Sequence, residues 1–190
     1  MMKQKKLKVG FDFDGVIAYN PLRIFRKPTK YLKSLILGKK ELGFYYPKSI
    51  FEKRIWELIH ETSFFPAPGI DELRNLLKKN KIEGFIITSR YSFLRPQLER
   101  WLKRNDLYDY FSGIYHNESD DQPHKFKEKM VKSLKVDYFL EDNLDIVEHL
   151  NKTTKTQIHW IYNLFDSYLP YKHKHPHLKY FIKQIVHLTK

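Results

Sequence analysis

Lys8-Val9-Gly10-Phe11-Asp12-Phe13-Asp14-Gly15-Val16-Ile17 decides the fold of this 190-residue chain. It is a short apolar run that ends in two aspartates one residue apart, followed by a glycine. The run reads as a buried strand, Leu7 to Phe13, and Gly15 as the tight turn by which the chain leaves it. Two carboxylates crowded at a strand end repel each other and lose hydration, so a fold keeps them only beside a compensating cation or proton. A hard, oxygen-seeking ion such as Mg2+ suits such a pair. Asp12 and Asp14 are therefore the first candidates for chemistry.

Composition bounds the rest. With 42% hydrophobic and 16% aromatic residues the chain is globular rather than disordered. Its length suits one domain with an insertion. There is no cysteine, which excludes disulfides, thiolate metal sites and cysteine nucleophiles and fits a cytoplasmic location. The basic start, Met1 to Lys6, is followed by a strand-length run broken by aspartates, not by a signal sequence. No apolar run is long enough to cross a bilayer, and no stable membrane association is expected. The formal charge of +13 points to anionic partners. Part of it sits between Ala18 and Pro66, where ten Lys/Arg face four Asp/Glu.

Working outward, residues 18–66 differ in character from the remainder. They hold two helical patterns, near Pro28 to Leu37 and Pro47 to Glu61, the second with Ile50, Phe51, Ile55, Leu58 and Ile59 at helical spacing. After Pro66-Ala67-Pro68-Gly69 the alternation becomes regular. A helix is expected at Ile70 to Lys79, a strand at Ile82 to Thr88, and a helix at Phe93 to Arg104. A strand at Phe111 to Tyr115 and a helix at Lys125 to Leu134 follow. The rest reads as strand Val136 to Leu140, helix Asn143 to Leu150, strand Thr156 to Tyr162 and helix Leu178 to Leu188. Such alternation predicts an α/β fold, a three-layer doubly wound parallel sheet. In these sheets functional groups gather at the carboxyl ends of strands. Three predicted strands end in chemically capable residues: Asp12/Asp14, Thr88-Ser89-Arg90 and Glu141-Asp142-Asn143.

Asp12-Phe13-Asp14-Gly15-Val16 resembles the DxDG(V/T) first motif of the haloacid dehalogenase superfamily, most of whose members are Mg2+-dependent phosphatases. Ile86-Ile87-Thr88-Ser89 is similar to its second motif, an apolar strand ending in a hydroxyl. Val136-Asp137-Tyr138-Phe139-Leu140-Glu141-Asp142-Asn143 resembles the fourth, a strand ending in paired acids; Asp142 or Asn143 also suits the cap of the next helix. The third motif supplies a lysine, for which Lys125, Lys127, Lys129 and Lys132 compete. The spacing of the 5′-nucleotidase-like branch favours Lys127, and Lys125 lies nearer the helix start. The resemblance implies strand order 5-4-1-2-3 and a small helical cap over residues 18–66, with a core of 1–17 and 67–190.

The resemblance also implies roles. Asp12 is expected to attack phosphorus and Asp14 to act as acid and base, with Thr88 and Lys127 holding the phosphoryl oxygens. Mg2+ is expected on Asp12, the Asp14 carbonyl and Asp142, with Glu141 as a further ligand or water holder. Ser89, Lys125, Arg23 and Arg54 are candidate substrate contacts. In the insertion, Arg23, Arg26, Lys27 and Arg54 lie near Phe44, Tyr45, Tyr46 and Trp56, a mixture that suits a nucleotide, although most of these aromatics read as the cap's own core. The basic stretch Tyr31 to Lys40 reads as a cap helix rather than a membrane anchor. Tyr171-Lys172-His173-Lys174-His175-Pro176-His177 reads as a solvated loop rather than a metal site.

The expected activity is hydrolysis of a small phosphomonoester, with a nucleoside monophosphate ahead of other small phosphorylated metabolites. The rival readings are a nucleic-acid end phosphatase, motivated by the charge, and a non-catalytic binding module on the same fold.

Overall fold

The computed structural model of the chain describes residues 6–19, 44–61 and 63–189. Its elements, in chain order, begin with β1 (Leu7–Phe11), β2 (Ala18–Tyr19), α1 (Ile50–Glu61) and β3 (Phe65–Pro66). Then come α2 (Ile70–Lys78), β4 (Ile82–Tyr91), α3 (Arg95–Arg104) and β5 (Gly113–Asn117). They are followed by α4 (Pro123–Leu134), β6 (Tyr138–Glu141), α5 (Leu144–Thr153) and β7 (Gln157–Ile161). The chain closes with β8 (Lys174–His175) and α6 (Leu178–Leu188). The helix expected at 28–37 and the basic stretch at 31–40 lie outside the described residues.

The main sheet is parallel throughout, in the order β5-β4-β1-β6-β7-β8. This is the expected order read from the opposite edge, with one more strand, β8, added beyond β7. β1 is central: Phe11 lies in register with Ile86 of β4 and Leu140 of β6. Its two faces are both covered, which is why it reads as an apolar run rather than an alternating one. Gly10 is required there, because a Cβ would come within 2.8 Å of the Phe139 ring.

Helices α2, α3 and α6 cover one face, where Leu73, Leu77, Trp101, Phe181 and Ile185 pack with Val9 and Phe11. On the other, Phe126 and Val131 of α4 and Val147 and Leu150 of α5 pack with Ile87 and Phe139. Burying one such side chain contributes about 1.5–3 kcal/mol, so these two layers rather than helix propensity set the positions of the strand ends. The insertion leaves and re-enters the core through a short antiparallel pair, with Ala18 opposite Pro66 and Tyr19 opposite Phe65. Within it α1 starts at Ile50, not at Pro47, because Ser49 and Glu52 form a capping box: Ser49 Oγ accepts from the Glu52 amide at 3.1 Å and Glu52 Oε2 from the Ser49 amide at 3.0 Å. Among the described residues no helix is long and apolar enough to cross a membrane.

The histidine-rich tail is not the solvated loop its composition suggests. His175 belongs to β8 and stacks on the fully buried His159 of β7, with Nε2 2.9 Å from His159 Nδ1. His173 lies against the same ring at a centroid distance of 5.0 Å, and Gln157 bridges the two. His177 sits apart, ahead of α6. The signal missed was His159 itself, a buried polar ring that needs hydrogen-bonding partners from the next strand.

Burial, reinforced by the neighbouring imidazoles, pushes His159 down to about 3 and His175 down to about 4. Both are neutral in the folded chain at pH 7, whereas an unfolded histidine titrates at about 6.5. Their contribution to stability is whole above about pH 6.5 and is lost as the pH falls toward 4. Urea unfolding at pH 5 should therefore show about 1–2 kcal/mol less stability than at pH 7. His175→Gln, which removes one of the titrating groups, should shrink that difference.

Candidate active site

β1 ends at Phe11, two residues earlier than the apolar run, and the chain then turns. The Asp12 amide still donates to the Leu140 carbonyl at 2.9 Å, which fixes Asp12 between β1 and β6. The Phe13 carbonyl next accepts from the amides of Val16, Ile17 and Ala18. Gly15 supplies the left-handed turn, with φ 77°. Asp12 is only 5% exposed, and its Oδ1 takes the Phe13 amide at 2.7 Å.

Lys127, on α4, reaches the same point. Its Nζ lies 2.8 Å from Asp12 Oδ2 and 2.6 Å from Glu141 Oε2, and all three side chains are buried. Glu141 Oε1 accepts the amides of Asp142 and Asn143 at 3.2 and 3.0 Å. Both oxygens of Glu141 are thus engaged, one by the ammonium and one by the backbone at the start of α5. Asn143 caps that helix by accepting the Asp145 amide at 3.0 Å. Burial raises both carboxyls: Asp12 moves above the usual carboxylate range and Glu141 well above it, with Lys127 opposing the shift in each. Burial alone would lower the Lys127 ammonium, but Asp12 and Glu141 together outweigh it and hold it above its ordinary value.

A second buried cation serves Asp14. The ladder between β4 and β5 pairs Thr88 with His116 and then Tyr91 with Asn117, so Ser89 and Arg90 bulge out of register. The bulge turns Arg90 toward Asp14: Nε lies 2.7 Å from Oδ2 and Nη2 2.8 Å from Oδ1, a two-toothed ion pair. The guanidinium rests 4.6 Å over the Phe13 ring, whose edge meets Trp101, and Arg90 is 4% exposed. Sequence reasoning placed Arg90 at a strand end and gave it no role. The available signal was a cation two residues past a predicted strand end, opposite an aspartate that needed one.

These groups line a cleft of about 240 Å³ at the carboxyl ends of β1, β4 and β6. Asp12, Asp14, Thr88, Ser89, Lys127, Glu141 and Asp142 all contribute to its wall. Phe44, Tyr45 and Trp56 from the insertion face it as well. Thr88 Oγ1 accepts the Arg90 amide at 3.3 Å, and Ser89 Oγ donates to the Pro123 carbonyl at 3.4 Å. The structure separates the competing lysines: Lys127 is inside, while Lys125 is exposed and away from the cleft wall. Arg54 is likewise exposed and outside it. Arg23 lies outside the described residues, as do Arg26 and Lys27.

The cleft suits a hard divalent cation. Carboxylate oxygens of Asp12, Glu141 and Asp142 lie within 4.8 Å of one another, with no histidine among them. Four carboxylates (Asp12, Asp14, Glu141, Asp142) face two cations (Lys127, Arg90), which leaves a formal excess of negative charge for an ion to offset. Asp12, Glu141 and Asp142 are the carboxylates placed to hold it, Asp12 and Glu141 while also bonded to Lys127.

No family model and no curated protein matches the chain. Solved structures do. A haloacid dehalogenase-superfamily hydrolase from Ehrlichia chaffeensis superposes with a TM-score of 0.53 at 15% identity, covering 98% of this chain and 100% of that one. A haloacid dehalogenase-like hydrolase from Xanthomonas campestris gives 0.55 at 14% identity, over 98% and 97%. CbbY from Rhodobacter sphaeroides, crystallised with phosphate, gives 0.59 at 14% identity, over 92% and 96%. At these identities the likeness is one of fold.

Lys127→Met should leave Asp12 and Glu141 facing each other without the ammonium between them. Urea unfolding should show a loss of about 3–5 kcal/mol. Adding Glu141→Gln should recover part of it, because the amide keeps a backbone contact while removing one buried charge.

Proposed function

We propose, for a chain with the fold of the haloacid dehalogenase superfamily, that this cleft hydrolyses phosphomonoesters in a Mg2+-dependent reaction through an aspartyl-phosphate at Asp12. The leading small substrate is a nucleoside monophosphate, ahead of sugar phosphates and other small phosphorylated metabolites. One observation carries the reading: Asp12 ends the central strand with its carboxylate buried on Lys127, beside Asp14 and Asp142 and open to a cleft. A carboxylate that only stabilised the fold would have no use for two further acids at its side. A protein of the same fold, CbbY, has been solved in complex with phosphate.

In this reading Asp12 attacks phosphorus, the bond from phosphorus to the ester oxygen breaks, and the leaving oxygen takes a proton from Asp14. Asp14 then takes a proton from water, which attacks the acyl phosphate, releases inorganic phosphate and restores Asp12. Mg2+ held by Asp12, Asp142 and the Asp14 carbonyl would offset the charge that otherwise keeps an anionic nucleophile from a phosphate. Lys127 and Thr88 hold the phosphoryl oxygens. Glu141 keeps the Lys127 ammonium aimed at Asp12 and is a positioning residue. Arg90 has the same part for Asp14: it fixes both carboxylate oxygens, so one of its two contacts must be exchanged before Asp14 meets the leaving oxygen. Residues 18–66 act as a cap, with Phe44, Tyr45 and Trp56 against the leaving group.

The test is phosphate release from nucleotides, sugar phosphates and small phosphomonoesters, with Mg2+ or with EDTA. Release should need the metal and fall by more than about a thousandfold in Asp12→Asn. Mg2+ should also raise the melting temperature of the wild type and not that of Asp142→Asn. A folded, Mg2+-binding protein that released phosphate from none of the esters would overturn the reading.

A further inference from the structure

Arg90 belongs to two clefts. Besides the one at Asp12, it lines a neighbouring cleft of about 490 Å³ together with Arg100 and Arg104 of α3, Phe64 and Trp101. No carboxylate lies among its described lining residues. Arg100 and Arg104 are one helical turn apart and so share a face of α3.

Neighbouring cations are spoken for. Arg95 pairs with Glu99 and Lys78 with Asp106, each at 2.8 Å. Arg100 and Arg104 have no carboxylate at ion-pair distance among the described residues. Arg104 lies instead 4.1 Å over the Phe64 ring. The Phe64 carbonyl accepts the Trp101 indole N–H at 3.0 Å, which fixes this linker residue beside α3. Phe64 is nonetheless 53% exposed. The result is two exposed guanidiniums and a half-exposed, guanidinium-backed aromatic ring, joined through Arg90 to the site of the proposed chemistry. Paired guanidiniums match phosphate oxygens, and an exposed ring beside them matches a base.

Resting on the hydrolase reading of the Asp12 cleft, we propose that the second cleft binds the continuation of a single-stranded nucleic acid whose terminal phosphomonoester lies at Asp12. Arg100 and Arg104 contact the backbone phosphate next to the end, and a base lies on Phe64. The formal charge of +13 favours this long anion over a small bisphosphate, which needs a few cations only.

The experiment compares thymidine monophosphate, thymidine hexanucleotides phosphorylated at the 5′ or the 3′ end, and a sugar bisphosphate. Hydrolysis is followed in the wild type, in the double variant Arg100→Ala/Arg104→Ala and in Arg100→Lys/Arg104→Lys. Binding of labelled hexanucleotide is followed by fluorescence anisotropy in the Asp12→Asn background at several salt concentrations. One of the phosphorylated hexanucleotides should bind at least tenfold more tightly than the mononucleotide, with affinity falling as salt rises. The double alanine variant should weaken hexanucleotide binding about tenfold and flatten its salt dependence. It should also lower kcat/KM for the hexanucleotide about tenfold more than for the mononucleotide, and the double lysine variant should recover part of this loss.

Equal treatment of hexanucleotide and mononucleotide by every variant would overturn the inference. So would a loss confined to the sugar bisphosphate, which would make the cleft a small-molecule subsite. If no ester is hydrolysed at all, the hydrolase reading fails, and the anisotropy arm still decides whether Arg100 and Arg104 hold a nucleic acid.

Discussion

The Lys127 ammonium, buried between Asp12 and Glu141, is the interaction on which the rest of the site depends. Removing three charged groups from water is costly, and only close contacts with every partner offset that cost. Here the contacts are met: the ammonium touches both carboxylates, and each carboxylate also takes backbone amides. The arrangement requires β1 and β6 to be neighbours with their carboxyl ends level, and α4 to cross behind them so that one lysine of its several reaches the gap. An inert core would place apolar side chains there at lower cost. The expense is understandable if the groups act on something that enters the cleft.

Arg90 repeats the design at Asp14, with a cation that cannot be neutralised and that is held in its own plane by Phe13. Asp12 and Asp14 are only two residues apart, yet each has its own buried cation, drawn from a different element. That separation gives them distinct surroundings and so permits distinct roles for two identical side chains.

Much of this was legible in the chain. The run into Asp12-Phe13-Asp14-Gly15 announced a central strand ending in crowded carboxylates, and the repeated strand and helix patterns after Gly69 pointed to a parallel sheet. The spacing implied by the resemblance favoured Lys127 and left Lys125 open; only the fold, which buries Lys127 in the cleft and leaves Lys125 exposed, separates the two. Arg90 was not legible, because its direction depends on a bulge between β4 and β5, and a bulge leaves no mark in hydropathy. β8 was hidden for another reason. A two-residue strand has no periodicity to read, and its place is set by His175 stacking on a histidine sixteen residues away in the chain. The contact of Glu141 with Lys127 also lay beyond the sequence, since it depends on α4 reaching the end of β6.

Helix α6 carries a consequence for how the protein is made. Phe181 of α6 meets Phe11 of β1 edge to face at 6.0 Å, and the Lys179 amide donates to the Pro68 carbonyl. β1 is thus sealed by a helix far later in the chain. Until then β1 has an uncovered flank, and its partners β4 and β6 arrive in turn from far along the message. Pairings between such distant segments form slowly and leave apolar surface open meanwhile. For this chain the vulnerable period falls during translation, and Asp12 and Asp14 acquire their full surroundings only after α6 has been made.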